Sequence, residues 1–153
     1  MQTVTAKEIA EKIQRPGEEL QVAVDRLRNW TREGLIKPVG AKHPGKGRAK
    51  QYPRKAIFEA ALLQLLIDCT GIGAVAAGPL LDAAKVRLTP LLKKNEIDLG
   101  VLLIGRSMGR SEFFMAADKF ENLPQMLAQS GDHDSYTVVK LRKLLDHLYL
   151  EKD

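Results

Sequence analysis

One cysteine, Cys69, occurs in the 153 residues, so no disulfide can close within the chain, and one thiol with three scattered histidines makes a poor metal site. Long hydrophobic runs are missing as well. Leu99–Gly105 is typical of the apolar stretches and falls far short of the roughly 20 residues that a membrane span requires. The N-terminus, "MQTVTAKEIAEKI", carries lysines and glutamates where a signal peptide needs an unbroken apolar region, so a cytoplasmic protein is expected. No nucleophile, base and orienting residue can be proposed together, which leaves no argument for an enzyme and implies no cofactor.

The most informative absence is of acid. Residues 1–68 hold 13 Lys+Arg against 8 Asp+Glu, whereas residues 69–153 hold 11 of each, so the whole net charge of +5 belongs to the first half. Between Lys37 and Lys55 stand seven basic residues (Lys37, Lys42, Lys46, Arg48, Lys50, Arg54 and Lys55) and no Asp or Glu. Like charges crowded in one loop repel unless a counter-charge arrives, so this segment expects an anion. With 44% hydrophobic and 28% charged residues, the chain can build one ordinary domain or two small ones and shows no sign of wholesale disorder.

Periodicity divides the chain into a first part over residues 1–70 and an α+β part over residues 71–153. Thr5-Ala6-Lys7-Glu8 is a capping-box pattern opening a helix with Ile9, Ala10 and Ile13 on its apolar face. Pro16-Gly17 breaks it. A second helix is expected from Glu18 to Glu33, with Leu20, Ala23, Val24, Leu27 and Trp30 on one stripe, Gln21, Asp25, Arg28, Asn29 and Arg32 opposite, and Gly34 as the stop. "VGAKHPGKGRAKQYP" reads as a two-stranded wing around "HPGKG", and a third helix is expected to open at Pro53 and run to about Asp68. Cys69 is expected to be a small buried residue on that helix. Further on, Pro79–Lys94 reads as a helix that Pro90 kinks or ends, "LGVLLIGRSMGRSEFFMAA" as two strands around Ser107–Arg110, "NLPQMLAQSG" as a short helix, "SYTVVKL" as a strand and "RKLLDHLYL" as a closing helix. The fold expected is mostly α with small β: an N-terminal winged helix-turn-helix followed by a small α+β region.

The run "LRNWTREGLIKP", followed by a basic wing ending in "KQYPRKAI", a helix and "TGIG", resembles the DNA-binding part of the MerR family of bacterial transcription regulators. Leu27, Arg28, Trp30, Gly34, Leu35, Ile36 and Pro38 match the motif closing that family's recognition helix; Lys50 and Tyr52 match the end of its wing. The likeness covers about residues 3–83. It departs from the family in the longer turn "QRPGEELQ", in the wing lysine where the family has arginine, and in having one cysteine where metal-sensing members have several. The resemblance implies a homodimeric, sequence-specific regulator of double-stranded DNA, nucleoid-associated, with RNA polymerase or a small-molecule effector as further partners. Arg28, Asn29 and Arg32, with Gln21, can read bases or hold phosphates, and Lys42, His43, Lys46, Arg48, Lys50 and Arg54 would grip the backbone in a sequence-blind, salt-sensitive way. Trp30 and Tyr52 are expected to pack the helix and wing rather than contact DNA.

Three other readings remain: an excisionase-like architectural DNA-binding protein, a protein-interaction adaptor, and a ligand-sensing protein with a pocket at Phe113, Phe114 and Met115, although three consecutive strand residues cannot all face one side. "GIGAVAAG" follows a helix and not a strand, so it reads as a helix connection rather than a dinucleotide fingerprint. Asp132-His133-Asp134 reads as a polar turn, because adjacent residues seldom converge on one metal, and "GRSMGRS" as a hairpin turn.

Overall fold

The computed structural model describes residues 2–40 and 49–144. Within them the chain is mixed α and β, with two small sheets. Strand β1 (Thr3–Thr5) leads into helix α1 (Ala6–Ile13) through the capping box: the Glu8 amide donates to Thr5 Oγ1 at 3.2 Å while the Thr5 amide donates to the Glu8 carboxylate at 2.7 Å. The Thr5 amide, and after it the Thr5 hydroxyl, donate to the Glu8 carboxylate and hold it below its ordinary range. Helix α2 (Leu20–Arg32) ends at Gly34, whose φ of +78° is easily reached only without a side chain. The Leu35 amide then bonds the Trp30 carbonyl and the Gly34 amide that of Thr31, a Schellman closure that satisfies the last carbonyls.

Strand β2 (Gln51–Pro53) pairs antiparallel with β1, Val4 opposite Tyr52. Pro53 therefore closes a strand instead of opening a helix. It has no N–H for a ladder and sits at the end of a two-stranded edge, where none is demanded; helix α3 (Ala56–Thr70) starts after it, with Lys55 as N-cap. On the other side the Val39 amide donates to the Gln51 carbonyl at 2.7 Å, and the tip expected for the wing, residues 41–48, lies outside the described residues.

Helix α4 (Ala74–Lys93) begins a turn before Pro79 and continues through Pro90. Each proline removes a helix hydrogen bond, a cost of roughly 3 kcal/mol in a free helix, but the buried stripe Leu80, Leu81, Ala84, Leu88 and Leu91 holds α4 in place. Gly78 lets α4 come close to the end of α2: a Cβ there would lie 3.0 Å from Leu35 Cδ2. Cys69, expected inside, is exposed near the end of α3.

After a 3-10 turn at Ile97–Leu99, β3 (Gly100–Arg106) forms the centre of an antiparallel sheet between β4 (Phe113–Lys119) and β5 (Ser135–Lys140), with helix α5 (Leu123–Gln129) connecting the outer strands. Alternation along β3 splits its side chains. Leu102 and Ile104 join the main core, while Val101 and Leu103 pack with Met126 of α5. The main core runs from Val4 to Leu144, so buried side chains of α1–α4 and of the sheet are continuous. Leu141–Leu144 form a 3-10 turn, and the rest of the expected closing helix falls outside the described residues.

Candidate nucleic-acid interface

Helix α2 carries two opposed faces. Ala23, Leu27 and Trp30 are buried, while Gln21, Asp25, Arg28, Asn29 and Arg32 all face solvent. Burying side chains of the Leu and Trp class contributes about 1.5–3 kcal/mol each, so the inner face fixes which way the outer face points. Thr31 and Tyr52 lock this arrangement to β2. Thr31 Oγ1 donates to the Leu27 carbonyl at 2.9 Å, which leaves it to accept from the Tyr52 hydroxyl at 2.8 Å, and both residues are buried.

The turn before α2 is held by ions. Arg26, not singled out from the sequence, forks onto the Glu18 carboxylate at 2.5 and 2.8 Å, donates to the Ile13 carbonyl, and lies 5.9 Å from the centre of the Trp30 ring. Arg15 reaches Asp68 on α3 at 2.6 Å, and its amide donates to Glu18. Those contacts, Arg26 first, bring the Glu18 carboxyl down to about 2. The long turn between α1 and α2 is therefore tied to three helices. Sequence gave one hint: Arg26 lies four residues before Trp30, at the edge of the apolar stripe, where a guanidinium can cover an indole face.

On the exposed face, Asp25 Oδ1 accepts from Gln21 Nε2 at 2.9 Å and from Arg28 Nη1 at 3.2 Å. Asn29 and Arg32 continue the same surface towards Gly34. Of the expected backbone contacts, Lys50 precedes β2 and is half-buried, and Arg54 follows it and bonds Gln2 through its guanidinium. Lys42, His43, Lys46 and Arg48 lie outside the described residues. Trp30, 2% exposed, packs in the core.

Phe113, Phe114 and Met115 divide between the two faces of β4, as strand alternation requires. Met115 and Phe113 face the main core and Phe114 the cluster under α5. A cavity of about 380 Å3 lies at the other end of β4, where Leu99, Phe120, Lys140 and Arg142 meet, with Lys140 5.9 Å from the Phe120 ring centre. His133 is caged rather than poised for a metal: Nε2 lies 3.0 Å from the Ser130 carbonyl, and the ring packs against Phe114 and Tyr136. Asp134 accepts from the Met108 amide. Among the described residues no single helix is long and apolar enough to cross a membrane.

No protein-family profile matches the chain, and no curated protein is significantly similar to it.

Proposed function

We propose that the protein is a sequence-specific, double-stranded DNA-binding transcriptional regulator of MerR-like type, acting as a homodimer, with α1 and α2 as its helix-turn-helix and the β2 region as its wing. The observation that carries this reading is the face of α2: a polar row (Gln21, Asp25, Arg28, Asn29, Arg32) with two arginines against one carboxylate, on a helix whose other side is fixed in the core and which is followed in the sequence by the acid-free segment Lys37–Lys55. Arg and Asn are side chains that read guanine and adenine in the major groove, and lysine-rich loops hold phosphates. One module of this size buries too little surface for tight operator binding, which favours two copies on a two-fold site.

The direct test is titration of a fluorescent duplex with the wild type and with the Arg28→Ala, Arg32→Ala double variant. Both positions are exposed, so the variant keeps its circular-dichroism spectrum while its affinity falls on the order of 100-fold, as expected for losing two such contacts. Unchanged affinity, or no binding by the wild type, would support an adaptor that uses this face for a protein. A ligand-sensing role in addition to DNA binding is favoured by the cavity at Phe120, where an exposed ring meets Lys119, Lys140 and Arg142 as well as Asp98 and Glu121, a lining of both signs that suits a small polar molecule with an apolar part.

A further inference from the structure

The outer face of α2 contains one acid, Asp25, in the middle of the row expected to meet DNA. A carboxylate there is unfavourable for phosphate binding, since it repels the polyanion at close range. It does little for stability either: the Asp25 and Arg28 side chains are 57% and 61% exposed, and ion pairs of that kind shift an equilibrium a few-fold at most. What the carboxylate does is fix geometry. Its Oδ1 holds Arg28 Nη1 on one side and Gln21 Nε2 on the other, each about one turn away along the helix.

An unsupported arginine samples many rotamers and binds any nearby acceptor, phosphate included. Guanine readout needs two N–H groups aimed together at O6 and N7. With one Nη1 proton engaged by Asp25, the other N–H groups of Arg28 are left for an acceptor, and part of the ordering cost is met before DNA arrives. Building on the DNA-binding reading above, we propose that Asp25 is a positioning residue that holds Arg28 for guanine readout and trades non-specific affinity for specificity at one base pair.

The two effects have opposite signs, which a purely structural role cannot imitate. The full-length protein, its Asp25→Ala variant and its Arg28→Lys variant are each used to select from the same random duplex pool, and the three are also titrated with a duplex of unrelated sequence. The wild type is expected to enrich a site containing one strongly preferred G·C pair. Asp25→Ala lowers discrimination at that pair about threefold, the most an exposed ion pair can hold in place, leaves the other positions of the site unchanged, and binds unrelated duplex more tightly than the wild type. Arg28→Lys, which keeps the charge and loses the planar fork, relaxes the same pair. The proposal is overturned if Asp25→Ala selects the wild-type site with the same discrimination, or if the pairs relaxed by the two variants differ. A wild type that enriches no site overturns the regulator reading itself, and this proposal with it.

Discussion

Glu18 and Arg26 meet as a two-pronged ion pair between the α1–α2 turn and the body of α2, with only 12% and 15% of the two side chains reaching solvent. Because that turn sets how α2 is presented, the pair links folding to the proposed interface. Replacing Glu18 by Ala leaves a partly buried guanidinium without its acceptor and is expected to cost about 2 kcal/mol near neutral pH. The carboxyl titrates at about 2 in the folded chain against an ordinary 4.5, so its contribution is present above 4.5 and disappears as pH falls towards 2. Urea unfolding at several pH values should show the gap between wild type and Glu18→Ala closing over that interval; a gap independent of pH would contradict the pairing.

The buried Thr31–Tyr52 contact has a direction. Thr31 gives its proton to the Leu27 carbonyl, so Tyr52 is the donor to Thr31. Tyr52→Phe removes one donor and is expected to cost about 1 kcal/mol. Thr31→Val strands a buried tyrosine hydroxyl and should cost more, about 2 kcal/mol. Thermal melts of the two variants check the order.

Lys50 immediately precedes β2, in the segment proposed as a wing, and is proposed to touch phosphate and not a base. Lys50→Ala should weaken binding to every duplex alike and reduce the slope of log affinity against log salt by about 1. Titrations across a salt series measure it; a loss confined to one sequence would reassign Lys50 to base readout.

Gly105 sits under the His133 ring: an added Cβ would lie 2.8 Å from His133 Cδ2 and 3.1 Å from Tyr136 Cε1. Gly105→Ala is expected to destabilise by about 1–3 kcal/mol through overpacking. The Gly105→Ala, His133→Ala double variant should recover part of the loss relative to His133→Ala alone, a coupling that chemical unfolding can measure.

Local chemistry made much of this architecture readable in the sequence. The Thr5–Glu8 capping box, the stop at Gly34, the stripe ending in Trp30 and the two strands around Ser107–Arg110 each follow from interactions spanning a few residues, and each occurs. Contacts between distant segments were less visible. Thr3–Thr5 is too short to show a period, so nothing announced that it would pair with Gln51–Pro53 and draw Pro53 into a strand. Helix α4 runs through Pro90 because its buried stripe outweighs the local rule against proline, an effect no sequence window contains. The exposed face of α2 was legible as a row of residue types, whereas the bonds made by Asp25 and Arg26 depend on side-chain direction and on the fold of the preceding turn.

The exposed face of α2 is proposed to read DNA sequence in a symmetric pair of molecules. Selection of a random duplex pool on the purified wild-type protein at roughly 150 mM salt, near the physiological screening regime, followed by sequencing, tests it most directly. An inverted repeat whose half-sites are separated by about one helical turn or a multiple of it is the expected result. Salt-sensitive retention with no enriched sequence would contradict it and point to an architectural or adaptor protein.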